Sequence, residues 1–220
     1  MRQHVILLHG LWFNRTVMAL LARRIRKAGF QTHCLSYPSM KENPSNNARY
    51  LHDYLQSLSL EVKEQSVHFV AHSLGGLVVL NFLDHYLDFP VGRVVLLGSP
   101  VLGSDSAQRL LEFPLGSKML GRSIEENGLL NGVSFRQNGS QEIGMIAGTL
   151  SFGLGTLLGS GGGKNEPDDG VVSVSETRMP GLADHLCVRV SHSGLLVSRQ
   201  VAEQTCVFLK SGVFQYGMKA

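Results

Sequence analysis

Cysteine is scarce in this chain, and neither sign of charge is in large excess. Cys34, Cys187 and Cys206 make an odd number at wide spacing, which supports neither a disulfide framework nor a zinc site. Each falls in an apolar strand or helix pattern and reads as a reduced core thiol. Lys and Arg number 20 against 17 Asp and Glu, a balance that does not argue for a nucleic-acid partner. Much of the excess lies in RRIRK at 23–27, where the last turn of a helix welcomes cations; a partner-binding patch is the alternative. Long hydrophobic runs are also missing. Nowhere do 18 apolar residues run together, and the short run before His9 and Gly10 is too brief for a secretory h-region, so a cytoplasmic protein without a transmembrane segment is expected. Neither H-E-x-x-H nor paired cysteines occur, so no metal and no other cofactor is expected. No internal repeat is visible.

What is present suits one soluble domain over 1–220: 43% hydrophobic and 17% charged residues in 220, enough for one substantial core and short for two. Short β-branched runs alternate with amphipathic stretches, the pattern of a parallel sheet covered on both faces. Strands are expected at 4–10, 30–37, 67–72, 92–100, 142–150 and 185–192. Helices are expected around Val17 to Ala28, from Leu51 to Leu58, from Leu74 to Tyr86, and from Val197 to Leu209 at the end. Residues 38–47 read as a loop. Residues 101–141 form a connection too long for one crossover helix, a candidate cap or substrate-binding insertion. Residues 151–167, SFGLGTLLGSGGGKNEP, read as a Gly-rich mobile loop, with 151–158 as the sharper candidate for an acyl-binding lip or a point of transient membrane contact.

The stretch FVAHSLGG (69–76) places Ser73 between a strand and a helix, with small residues, Ala71 and Gly75, two positions to either side. That is the setting of a strained turn that exposes a serine at the carboxyl end of a sheet. A serine needs a base, and the base needs an orienting group. Among nine histidines, His4, His33 and His68 lie in strand patterns, and His52 and His85 on helix faces. His72 is expected to point elsewhere, His185 to begin a strand, and His9 to shape the turn at Gly10. His192 follows the last strand in VSHSGLL, where a loop can reach back over the sheet. Asp168 and Asp169 precede Gly170 before that strand, and the order Ser73, Asp169, His192 is that of one hydrolase fold. Backbone N–H groups of Leu11 and Leu74 are the candidate donors to an oxyanion. Trp12 and His9 are the side chains expected to border a substrate.

These segments resemble the α/β-hydrolase family: LLHGLW, AHSLGG, VVLLGSPVLGS, DDGVVS and VSHSGLL are similar to those of small bacterial lipases and esterases and of the group similar to GPI inositol-deacylases. The resemblance covers nearly the whole chain. It implies a three-layer fold with a minimal six-stranded parallel sheet, a triad of Ser73, Asp169 and His192, and an oxyanion hole at Leu11 and Leu74. Ala71 stands where the usual pentapeptide has its first glycine. The reading that follows is a serine esterase or lipase acting on a small-molecule or lipid ester through an acyl-enzyme. Acyl transfer or amide cleavage by the same residues is the alternative, and an inactive hydrolase-like binding module is a further one. Asp105 is the reserve acid. The sequence does not fix the oligomeric state.

Overall fold

The computed structural model describes residues 3–58, 66–135, 141–152 and 166–217. Strands β1 (His4–Leu8), β2 (Gln31–Leu35), β3 (Val67–His72), β4 (Val91–Leu97), β5 (Ile143–Gly148) and β6 (Asp184–Val188) form one sheet in the order β2-β1-β3-β4-β5-β6. Every pairing is parallel. Among the described residues the helices are α1 (Ala19–Lys27), α2 (Pro44–Ser57), α3 (Leu74–His85), α4 (Asp105–Leu111), α5 (Gly116–Leu120), α6 (Gly194–Val197) and α7 (Arg199–Ser211).

Parallel strands need crossovers, and crossovers cover both faces, so the strands can be apolar throughout. Ile6, Leu8, Phe69, Ala71, Val94 and Leu96 bury against α2 and α3 on one face. Val5, Leu7, Val70, Val95 and Leu97 alternate with them and bury against α1 and α7 on the other. Helix α3 is buried from Leu74 to Leu83 without a break, as a helix central to the domain must be. The strand order reverses between β1 and β3, whose register sets Leu8 beside Ala71. The chain therefore leaves both strands at adjacent points, with His9–Gly10 beside His72–Ser73, and such a switch point opens a crevice at the carboxyl end of the sheet.

Several expectations change. Residues 44–47 belong to α2: Pro44 opens the helix, and the side chain of Asn43 accepts the Asn46 N–H at 2.8 Å as its cap. The closing helix is two helices, because Ser198 caps α7 through the Val201 N–H. Val197, expected on its buried stripe, is 55% exposed as a result. None of the three cysteines is fully buried: all are free, Cys34 and Cys206 half-buried against the core and Cys187 exposed on β6, which among the described residues has no neighbouring strand on its outer side. The connection after β4 contains α4, α5 and a 3-10 turn at Gly121–Ile124, and the Arg122 N–H donates back to the Met40 carbonyl at 2.9 Å. Of the Gly-rich segment, 153–165 lie outside the described residues; Ser151 and Phe152 are exposed. Among the described residues no helix is long and apolar enough to cross a membrane.

The fold also encloses imidazoles. Burial, the largest cause at each, lowers the pKa of His9, His33, His68, His72 and His185 below 6.5. The unfolded chain binds more protons than the native one once the pH falls below about 6.5, so this stability is complete above 6.5 and lost as the pH falls from there through the native values. Glu176, whose pKa burial raises, acts in the opposite sense, but it is one group against five. His72, which is fully buried and whose pKa burial holds well below 6.5, is the largest contributor. Thermal unfolding should therefore show a clearly lower Tm at pH 5 than at pH 7.5; equal midpoints would contradict the assignment of these histidines as neutral in the fold.

Candidate active site

Ser73 occupies the turn from β3 into α3 with φ 54° and ψ −124°. Few residues other than glycine adopt that conformation, and it persists only where the surroundings fix it. Here the Ser73 N–H donates to the Leu97 carbonyl and the Gly76 N–H to the Ser73 carbonyl, each at 2.9 Å. The strand β1 explains the glycine two residues on: a Cβ at Gly75 would stand 2.7 Å from the His9 carbonyl oxygen and 3.0 Å from that of Leu8. Gly10 is similarly confined, with a Cβ there 3.0 Å from both His72 Nδ1 and Ser73 Cβ. The turn at Gly10 thus lies directly against Ser73, with Leu11 following. Leu74 is the first residue of α3, where amide N–H groups have no acceptor within the helix.

The loop after β5 brings an acid to the loop after β6. His192 Nδ1–H donates to Asp169 Oδ2 at 2.8 Å, and the His192 N–H donates to the Asp169 carbonyl at 2.8 Å. The other carboxylate oxygen, Oδ1, accepts the N–H groups of Val171 at 3.0 Å and Val172 at 2.8 Å. Asp169 is 1% exposed and His192 9%, so the buried carboxylate is held by three donors, as burial of a charge requires. Two glycines that the sequence reading passed over make room for the pair. A Cβ at Gly98 (φ +55°), just past β4, would come within 3.0 Å of Asp169 Oδ2 and 3.3 Å of His192 Nδ1; one at Gly148, the end of β5, would come within 2.7 Å of Asp169 Cβ. The available signal was a glycine at the carboxyl end of each strand. Asp168 turns the other way, and its Oδ1 accepts the Gly170 N–H at 2.7 Å. Asp105 is exposed at the start of α4.

Three further expectations meet the geometry differently. His72 does not point away from the site: it is fully buried, its ring lies 4.6 Å from that of His192, and its Nε2–H donates to the His192 carbonyl at 3.1 Å. Burial holds its pKa well below 6.5. His9, expected to border a substrate, is fully buried and stacks on Tyr37 at 4.4 Å. Its Nδ1–H donates to the Gly10 carbonyl at 2.8 Å and its Nε2 accepts the Tyr37 N–H at 3.4 Å. Both nitrogens are occupied in shaping the turn, which leaves His9 no surface to offer a substrate. Trp12 is half exposed, at φ 64°, and its Nε1–H donates to the Met119 carbonyl at 2.7 Å, tying the turn after β1 to α5. Phe13 and Met119 are exposed as well.

Comparison with known proteins agrees with this architecture. The family model for the alpha/beta hydrolase family matches residues 5–151. In structure the chain is similar to the Bacillus licheniformis lipase BlEst2 in mature form, with TM-score 0.73 and 18% identity over 96% of this chain and 92% of that one. It is similar also to the metagenomic carboxyl esterase MGS0156, with TM-score 0.70 and 16% identity over 94% and 75% of the two chains. The carboxylesterase CesB of Bacillus subtilis aligns with TM-score 0.60 and 16% identity over 96% and 84%. At these identities the likeness to solved structures shows the fold alone. No curated protein matches the chain in sequence. The family match reaches no narrower group, but it spans most of a chain whose sheet order and strained serine turn fit it, and the chain belongs to the alpha/beta hydrolase family.

Proposed function

We propose that the protein hydrolyses carboxylic esters through an acyl-enzyme formed on Ser73. The observation that carries this reading is the buried Asp169–His192 pair at the same sheet end as the strained Ser73 turn. With Nδ1–H committed to Asp169, the neutral ring leaves its Nε2 lone pair to accept a proton, and the carboxylate stabilises the imidazolium that results. Ser73 Oγ attacks the acyl carbon while His192 takes its proton. The carbonyl oxygen becomes an oxyanion, for which the N–H groups of Leu11 and Leu74 are the proposed donors. His192 then gives the proton to the departing alkoxide, leaving an acyl-Ser73 and a free alcohol. Water repeats the sequence in reverse roles and releases the acid. No step calls for a metal or another cofactor.

The exposed Trp12, Phe13 and Met119 favour an ester with an apolar acyl part, and the lipase and esterases similar in structure are consistent with a small-molecule or lipid ester. Of the segment 101–141, residues 136–140 lie outside the described residues, and 101–135 are the proposed cap over this end of the sheet. The direct test is a fluorophosphonate probe, which reacts rapidly only with an activated serine. Stoichiometric labelling of Ser73, with p-nitrophenyl ester hydrolysis lost in parallel, is expected. No labelling, or labelling at another serine, would sink the reading. Turnover that needs an added alcohol or amine acceptor would instead support acyl transfer.

A further inference from the structure

The residue before the serine is a histidine that the proposed chemistry does not use. His72 ends β3 fully buried, among strand neighbours Phe69, Val70 and Ala71 that are apolar. Its two nitrogens have different fates. Nε2–H donates to the His192 carbonyl at 3.1 Å, which fixes the tautomer and leaves Nδ1 as a bare acceptor. Among the described residues Nδ1 has no hydrogen-bond partner. It faces Gly10, where an added Cβ would come 3.0 Å from it. The ring thus lies between two loops: on one side His192, ring to ring at 4.6 Å with planes tilted by 48°, and on the other the turn that leads into Leu11. A side chain needed only to fill this space would be apolar, as its neighbours are, and would not leave a buried nitrogen unsatisfied, a feature that calls for explanation.

We propose that His72 is a positioning residue, whose Nε2–H anchors the His192 backbone and whose ring spaces the His192 loop and the Gly10–Leu11 turn about Ser73. The proposal rests on the ester-hydrolase reading, in which His192 and the Leu11 amide must hold fixed places relative to one oxygen. Displacements of about 1 Å in such a constellation cost on the order of a hundredfold in rate. His72 acts through the His192 main chain and makes no contact with substrate, so its loss should appear in kcat and leave KM alone. Its neutrality matters as well: a cationic His72 would repel the imidazolium forming beside it, and full burial keeps the proton away.

The test compares His72→Leu, similar in volume but without a donor, with His72→Gln, whose Nε2–H reaches about as far as that of the imidazole. Steady-state hydrolysis of a p-nitrophenyl ester should give a kcat about 10- to 100-fold lower for His72→Leu, with KM within about threefold. His72→Gln should recover most of that loss, and the Tm of the Leu variant should stay near that of the parent. A kcat for His72→Leu within threefold of the parent, or equal losses in the two variants, would overturn the proposal. Should the Leu variant fail to fold, nitrogen-15 NMR of the unmodified protein decides: His72 is expected as the neutral Nε2–H tautomer at pH 7, and the Nδ1–H tautomer or an imidazolium there would overturn it. Failure of the underlying reading is separable, because it would show as a parent protein whose ester turnover is absent or survives Ser73→Ala.

Discussion

Ser73→Ala is expected to abolish ester turnover, by about five to six orders of magnitude where loss of a nucleophile removes the covalent step altogether. Retention of more than about a hundredth of the parent kcat would remove Ser73 from the mechanism. The fold should survive, since the substitution deletes one oxygen and leaves the Ser73 N–H to Leu97 and the Gly76 N–H to residue 73 in place. The backbone supplies a sharper control. At φ 54° and ψ −124° any residue with a Cβ is strained, and glycine is not. Ser73→Gly should be as inactive as Ser73→Ala yet unfold at an equal or higher temperature than the parent, the pattern of a residue kept for chemistry at a cost in stability. A Ser73→Gly variant clearly less stable than the parent would mean that the hydroxyl has a structural role, and that loss of activity in either variant could reflect damage to the fold.

The turn at Ser73 is legible in sequence because its constraints are local: an apolar run, small residues two positions either side, then a helix. The neighbourhood of β1 and β3 is also legible, since alternating strands and helices with a switch in direction leave few arrangements. What escaped the sequence depends on contacts far along the chain. Gly75 is small because the carbonyls of Leu8 and His9, more than sixty residues earlier, lie against it, so the spacing was visible but its cause was not. Gly98 and Gly148 look like ordinary strand ends until Asp169 is seen to fill the space beside both. His72 was misread for the same reason: adjacency to Ser73 says nothing of His192, which is brought to it by the last loop of the sheet. The signals at Asn43 and Pro44 were local and available, a side-chain cap followed by proline at the first helical position, and the surrounding Pro, Ser and Asn residues masked them as loop. Cysteine exposure fails differently, because an apolar pattern cannot distinguish an edge strand from a central one, and Cys187 lies on the edge.

Two consecutive aspartates offer the finer test, and the hydrogen bonds around them fix what each amide replacement would do. In Asp169, Oδ1 accepts two backbone N–H groups, from Val171 and Val172, and Oδ2 accepts His192 Nδ1–H. An asparagine there must keep its oxygen toward the two N–H donors, since the opposite orientation would set donor against donor. Its NH2 group therefore faces Nδ1. It can only donate to that nitrogen, so the ring takes the Nε2–H tautomer and the lone pair needed for the serine proton is gone. Asp169→Asn should lower turnover by about three to four orders of magnitude with little change in substrate binding. Asp168 faces the other way, its Oδ1 accepting the Gly170 N–H within the turn, a bond that an asparagine oxygen can also accept. Asp168→Asn should therefore cost less than about tenfold, through small shifts of the turn alone. The pair is checked by kcat and KM for both variants on one ester, with circular dichroism to confirm that each is folded. Near-normal turnover in Asp169→Asn, together with a large loss in Asp168→Asn or Asp105→Asn, would move the orienting acid elsewhere. Equal and modest losses in the first two would mean that His192 needs no buried carboxylate to serve as the base.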